Sequence, residues 1–472
     1  MPPTLKQLIY RHPEHKKYAD RWRLLTALAE GGCAVDDSVK RKLLINPDGA
    51  QPEVYSNRIQ LAPYEPIMGS MLMKLVSQIC QDQASYTGSE NSFWKDKFFE
   101  NGVISDEESD PRQSFHSLLI REMLQGVVQG KMIAQVDTVT ATGQTLAEQQ
   151  ANGGDQPYVV LRRREDLWDW ASDSQGLVYA KLHSYRESKE SWDGELKRLH
   201  EFQIYQRANE QVTTSIYTVE NANDERTTES AELPAFRVDQ LEALSEQNAV
   251  IKAKEINGAA IEDVQIFSTT SGLYRFPVIC RSIPKPLVIA DEMFDLVKSH
   301  YNHVAGGEWA LVQTNYGMLK FTGVDAPHEE GNANPARFQP MGNGYYMELG
   351  PGVEASWLVR PGNDIQLSLD YQQRQKQKML DLIHKIAETA ATEYASRMQS
   401  GESKKEQRRD LDILLEVYGE ELRGFAKSIL DAASIVRNED TEWEAEGFQD
   451  YNTGGLMEAL AEYTAIENAG ID

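Results

Sequence analysis

Positions 284–307 read PKPLVIADEMFDLVKSHYNHVAGG. Pro284 and Pro286 cannot sit inside a helix, because proline lacks the amide hydrogen and its ring clashes with the preceding turn. They mark a hard boundary. Directly after it, Leu287, Ala290, Phe294, Val297, Tyr301 and Val304 recur at intervals of 3, 4, 3, 4 and 3, with Asp291, Asp295, Lys298 and Asn302 opposite. That rhythm predicts an amphipathic helix of roughly 28 Å. Gly306-Gly307 is the expected stop. A single stalk-like helix with strand-rich chain on both sides predicts an α+β fold.

Upstream, residues 1–135 read mainly as helix. Glu14–Glu30 carries Tyr18, Trp22, Leu25 and Ala29 on one stripe. Behind Pro63 and Pro66, the run Ile67–Gln81 lines up Met68, Met71, Leu72, Leu75, Val76 and Ile79. A third helix is expected from Ser114 to Gln129, ended by Gly130, and Phe93, Trp94, Phe98 and Phe99 anchor the polar stretch before it. Lys131–Thr140 changes to a period near two and reads as strand. After a glycine-rich loop at 141–156, strands are expected at Tyr158–Leu161, Leu177–Tyr185, Glu201–Arg207, Val212–Val219 and Val264–Ser268, on one antiparallel sheet. Asn221–Ala231 reads as a surface loop.

Downstream, short strands are expected at Ala310–Thr314, Met318–Thr322, Tyr345–Leu349 and Ala355–Val359, around a loop at Pro327–Gly344. Leu367–Tyr394 then returns as helix. Its first half is polar, and its second half carries Met379, Ile383, Ile386 and Ala390. Ser403 and Glu406 have capping-box spacing. The helix they open places Leu411, Leu415, Tyr418, Leu422, Phe425, Ile429, Ala432 and Val436 at unbroken 4, 3 spacing, a seam that must pack against something long. The acidic end has Trp443, Phe448 and Tyr451 as anchors and a short helix expected at Gly455–Glu467.

The chain has 472 residues, enough for two to four packed units. Against 48 Lys and Arg stand 73 Asp and Glu, a net charge of −25. So acidic a surface repels phosphate and anionic lipid and argues against a protein that grips nucleic acid along a basic face. It does not exclude one that DNA merely passes. Cys33, Cys80 and Cys280 are far apart, which suits free thiols in a reducing compartment. The first residues lack the apolar core of a signal peptide, and no stretch approaches the length of a membrane span. We therefore expect a soluble protein.

Catalytic patterns are few and incomplete. Gly126-Val-Val-Gln-Gly130-Lys131-Met132 has three residues between its glycines, where a phosphate loop needs four, and lacks the Ser or Thr that holds magnesium. Gly342-Asn343-Gly344 lacks the third glycine of a dinucleotide fingerprint. No Gly-x-Ser-x-Gly or His-Glu-x-x-His occurs. His300 with His303, and His12 with His15, read as exposed helix positions rather than metal ligands. Arg162-Arg163-Arg164, and Lys404-Lys405 with Arg408-Arg409, read as surface ion pairs. Arg374, Lys376 and Lys378 crowd a helix segment without an apolar stripe, which faces solvent on all sides or lines a wet channel. No catalytic residue, cofactor or metal is expected.

Four stretches carry a resemblance in order: YSNRIQLAPYEPI at 55–67, QGVVQGKMIAQVD at 125–137, PYVVL at 157–161 with LWDW at 167–170, and the run from Pro286 through Tyr301 to Gly323. In that order the chain resembles the portal proteins of tailed bacteriophages. The resemblance implies a wing (1–285, helical over 1–135 and β-rich over 157–284), a stem helix (286–304) and a clip (305–360). It further implies a returning stem or tunnel helix (361–388), a tunnel loop (389–403), a long wing helix (404–437) and a short crown (438–472). It also implies a homo-oligomeric ring, usually of twelve copies, at a capsid vertex in the virion, assembled in the host cytoplasm. Double-stranded DNA would be packaged and ejected through it without sequence specificity. Its partners would be the major capsid protein, the terminase and a tail adaptor, with no membrane.

On this reading Arg374, Lys376 and Lys378 lie nearest the DNA. Leu287, Phe294, Val297 and Tyr301, with Leu411, Leu415, Tyr418, Leu422, Phe425 and Ile429, are the candidate inter-subunit or packing seams. The acidic balance suits a sliding duplex, since each cation that neutralises a phosphate adds affinity. Two other readings stay open: a cytosolic α+β enzyme with an acidic site, and another head–tail connector or internal virion protein.

Overall fold

The structure is a computed structural model. It describes residues 3–46, 52–81, 84–89, 91–104, 112–138, 156–174, 176–189, 196–208, 211–221, 249–253, 255–256, 259–260, 276–316, 318–322, 354–358, 363–394, 406–449 and 451. The chain divides into two units: Met1–Ala34, Pro66–Phe294 and Leu380–Asp472 make the first, Val35–Glu65 and Asp295–Met379 the second.

Among the described residues, helices, two five-stranded sheets and two small strand pairs build the first unit, and the mixture is α+β as expected. Ser114 caps Phe115–Gln129 by accepting from the Ser117 amide at 3.2 Å, and Gly130 ends it at φ 78°, a left-handed conformation that favours glycine. Lys131–Thr138 follows at once and pairs with Val278–Ser282 on one side and Pro157–Leu161 on the other, both antiparallel. Val103–Ile104 pairs parallel to Pro157–Leu161, and Arg112–Gln113 closes this mixed five-stranded sheet. The second sheet is antiparallel throughout, in the order Ala249–Ala253, Gln211–Asn221, Leu196–Ala208, Gly176–Lys189, Leu167–Asp173.

The expectation of one antiparallel sheet is therefore corrected. Strands as short as Val103–Ile104 leave no periodic trace, and only long-range hydrogen bonding assigns a strand to a sheet.

The long helix Glu406–Val436 lies against Lys131–Thr138 and Val278–Ser282 and against the helices Ile67–Ile79 and Phe115–Gln129. Leu411, Leu415, Tyr418, Leu422, Phe425 and Ile429 are at most 1% exposed, and the Tyr418 hydroxyl donates to the Leu287 carbonyl at 2.6 Å. Ile413, Val417 and Ile435, on the opposite side of the helix, are buried as well. A helix apolar on several faces is a core element rather than a surface clasp. These six residues are covered within the single chain, as a packing seam is.

A second core is aromatic. Trp94 and Phe98, on a π-helical turn at Trp94–Phe98, pack with Phe99, Phe115 and Trp443. Trp94 donates its indole N–H to Glu439 at 2.9 Å, and Trp443 donates to Ser434 at 2.6 Å. Strand Glu444–Glu446 pairs with Ser85–Thr87 and fastens this end to the helical layer.

Glu122 is fully buried on Phe115–Gln129 and accepts the Ile133 amide at 2.7 Å. Burial pushes its carboxyl well above the usual range, against the opposing pull of that amide. A folded-state pKa above the unfolded value gives stability that is full below about pH 4.5 and is lost as pH rises toward the folded pKa. Glu122→Gln keeps the acceptor without the charge. It is expected to raise the melting temperature at pH 7 and to lose that advantage at pH 4, as a paired thermal melt would show.

The second unit contains Asp37–Leu43, Pro52–Leu61, most of Ile289–Tyr316 and the first part of Asn363–Tyr394. Its strands Met318–Thr322 and Glu354–Leu358 pair antiparallel, Met318 opposite Leu358. The helix from Ile289 runs on through Gly306-Gly307 to Tyr316, so the stretch 310–314, expected as strand, is helical. Glycine inside a helix costs only about 1 kcal/mol. At Gly307 a β-carbon would meet Ser368 Oγ and Gln372 Nε2 at 3.5 Å, ordinary contact distance, so the returning helix lies alongside without requiring glycine there.

The helix Asn363–Tyr394 includes the first residues of the expected tunnel loop, Thr389 to Tyr394. The rest of that loop lies outside the described residues. So do Ser403, Val264–Ser268, Tyr345–Leu349, Pro327–Gly344, Gly455–Glu467, most of 141–156 and the loop beyond Asn221.

Candidate functional site

The two long helices of the second unit meet along a polar seam. Ser368, Gln372, Gln375 and Met379 follow one another at intervals of 4, 3 and 4, the inner face of the returning helix. Ser368 donates to the His303 carbonyl at 3.2 Å, and the His303 ring lies 4.2 Å from that of Tyr371. Burial lowers the affinity of His303 for a proton. Glu65 reaches Lys376 at 3.2 Å and buried His300 at 3.7 Å. Asn302 ties this helix to the Asp37–Leu43 region: its amide donates to the Leu43 carbonyl at 2.9 Å and accepts the Ile45 amide at 2.8 Å. Tyr301 packs near Tyr64, and burial pushes its hydroxyl up to about 12.

The outer surface of the returning helix differs. Leu367, Tyr371, Arg374 and Lys378, at intervals of 4, 3 and 4, share one exposed ridge, apolar at its start and basic farther on. Leu369, two residues from Leu367, points about 200° away around the helix. Leu367 is 68% exposed and Leu369 47%, and Leu311 on the outgoing helix is also exposed. This helix therefore has one face used internally and apolar groups on two other, nearly opposite sides.

Of the three cations expected near DNA, Arg374 and Lys378 are exposed, and the Lys378 ammonium stands 6.0 Å from the Tyr371 ring. Lys376 is half-buried and engaged by Glu65. Leu287, Phe294, Val297 and Tyr301 are all buried. Phe294 is capped by the Arg21 guanidinium 3.5 Å from its ring centroid, with Arg21 held by Asp291 at 3.0 Å. These four are internal packing residues too, and the exposed apolar groups lie elsewhere.

His300 and His15 are buried, against the expectation of exposed positions. Their helices are covered on more sides than one apolar stripe suggests. The arginine triplet matches its reading in part. Arg163 pairs with Glu30 at 3.1 Å, and Arg164 pairs with Glu14 at 2.6 Å while lying over Trp22. Arg162 is instead buried and donates to Gln135 at 2.8 Å, within a network that includes Gln203 and Tyr205. Lys404 and Lys405 lie outside the described residues. The sequence reading missed Glu65, Leu367 and Leu369 as site residues. The last two carry a legible signal, apolar residues in a polar helix half.

Among the described residues, no group of three or more His, Cys, Asp or Glu is placed to hold a metal, and no helix is long and apolar enough to cross a membrane. No family model matches the sequence. No curated protein matches it either. Among solved structures, a chain described as "Virion of native gene transfer agent (GTA) particle" is similar to this one over 95% of each chain, with 10% identity and a TM-score of 0.31, too loose a superposition to carry a conclusion about fold or function.

Proposed function

We propose that this chain is a non-catalytic structural subunit that assembles head to tail into a ring at a capsid vertex, a portal through which double-stranded DNA enters and leaves. The observation that carries the assembly is the pair Leu367 and Leu369, exposed on nearly opposite sides of one helix whose third face is occupied within the chain. An isologous dimer would cover a single patch. Two opposed patches call for two different neighbours, the geometry of a heterologous contact that closes into a ring or extends as a filament.

The order of helical and β wing, long outgoing helix, strand pair and returning helix supports a portal over other assemblies. Arg374 and Lys378 are then the cations nearest the duplex, in a protein whose net charge of −25 disfavours tight phosphate contact. Terminase, capsid protein and tail adaptor are its partners on this reading. Native mass spectrometry of the purified chain is expected to give a species of about twelve subunits, with a ring visible by negative stain. A monomer at all accessible concentrations would overturn the proposal.

A further inference from the structure

The first residues of the chain lie on the antiparallel sheet of the first unit. Thr4 caps Leu5–Ile9 through a capping box with Gln7. Leu5 and Leu8 are buried among Trp168, Phe202, Tyr217 and Val219. The buried Lys181 ammonium donates to the carbonyls of Gln7 at 3.1 Å and Tyr10 at 2.5 Å. The His12 amide donates to the Trp168 carbonyl at 2.8 Å, and its ring stacks on Trp170 at 3.9 Å. Arg11 lies 4.4 Å over Trp168. At Pro13 the chain turns into the helix Pro13–Glu30, which is anchored separately by Trp22, Thr26 and Arg21.

Histidines crowd beneath this segment. Trp168 stacks on His183 at 4.2 Å, and His183 Nε2 lies 2.8 Å from His200 Nδ1, so one imidazole donates and the other accepts. His15 Nε2 donates to the Glu165 carbonyl at 2.9 Å, while its Nδ1 is buried with no hydrogen-bond partner among the described residues. A proton added at Nδ1 would therefore sit on a buried N–H with no acceptor. The charges facing His15 and His183 are mainly positive, Arg11 and Arg23 from the N-terminal elements, with Asp20 the opposing acid at His15. Asp169 instead faces Lys181, and the Glu165 carboxylate is already bonded to Gln129 at 2.7 Å.

We propose that residues Thr4–His12 form an acid-released strap, shut on the sheet while the histidines beneath it are neutral and let go when they take up protons. Burial, with Arg11 and Arg23 adding to it, holds His15 down to about 4. Burial and then His200 hold His183 well below the imidazole range. Both folded-state pKa values lie below the unfolded value near 6.5, so the strap is tight above that pH and loosens as pH falls from 6.5 toward 4. Lys181, held down to about 8 by burial, acts in the same direction over its own range. Release would bare the apolar seat of Leu5 and Leu8.

The test is hydrogen exchange of the full chain, corrected for intrinsic rate, on peptides covering residues 4–12 and, as a control, 67–79. Between pH 7.5 and pH 5 the opening of 4–12 is expected to rise by up to about thirtyfold for each histidine that release brings to solvent, while the control holds. His15→Gln, whose amide can still donate to the Glu165 carbonyl, is expected to remove part of that rise. Joint replacement of His183 and His200 by Phe is expected to remove much of the remainder. Opening of 4–12 that is insensitive to pH, equal opening of the control, or an acid response unchanged in both variants would each overturn the strap.

Discussion

Leu367→Glu combined with Leu369→Glu is expected to convert a large assembly into monomers while leaving the fold intact. Each leucine hidden at a subunit contact contributes roughly 1.5–3 kcal/mol, and a carboxylate there must also be desolvated. A loss of about 4 kcal/mol weakens one contact by roughly a thousandfold. Because a head-to-tail ring repeats the same contact at every junction, all junctions fail together. Both side chains are exposed in the single chain, so the melting temperature of the monomer should barely change.

Native mass or sedimentation reads the first effect and circular dichroism the second. A double variant that still assembles fully would remove Leu367 and Leu369 from the interface and with them the support for a head-to-tail ring. Arg374→Ala with Lys378→Ala is the matched control, because those side chains share the Leu367 ridge. It should assemble normally if they face the duplex. Loss of assembly in this variant would reassign them to the contact between copies.

The second large effect is on stability. Trp443 is buried, lies 4.7 Å from Trp94 between ring centroids, touches Phe99 and donates to Ser434. Removing a buried aromatic side chain to alanine costs about 3–5 kcal/mol through lost transfer energy and the cavity left behind. Ser434 is nearly fully buried and would lose this donor as well. Trp443→Ala is therefore expected to lower unfolding stability in urea by about 4 kcal/mol, a large fraction of the total for an ordinary domain. Exchange should rise selectively in Glu444–Glu446, whose pairing with Ser85–Thr87 rests on this cluster. Trp443→Phe retains most of the burial and should cost about half as much. A cost below about 1 kcal/mol for the alanine variant would mean that the aromatic core does not hold the acidic end in place.

Much of the element order was legible because it is written in local periodicity. The 4, 3 seam of Leu411–Val436, the alternation after Gly130, the strand Met318–Thr322 and the polar-then-apolar returning helix all fall where those patterns place them. The errors share one physical cause. Gly306-Gly307 looked like a stop, yet the chain runs through it as helix to Tyr316, since a glycine pair lowers local propensity without forbidding helix when packing favours it. Two sheets looked like one because strand partners are chosen by long-range hydrogen bonds. Arg162, His15 and His300 looked like surface residues because their neighbours in space come from distant parts of the chain.

The candidate site follows the same division. The amino-acid sequence by itself determined that this is a mixed α+β chain with long helices flanking strand-rich segments, strongly acidic and without a complete catalytic motif, because repeat spacing and charge are properties of the chain. Only the tertiary structure decided which apolar residues are used internally and which remain exposed. Leu411 to Ile429 are consumed in the core, whereas Leu367 and Leu369 are left on opposite sides of a helix. A hydrophobic side chain is buried or exposed according to what the rest of the chain brings beside it, and that depends on contacts hundreds of residues apart.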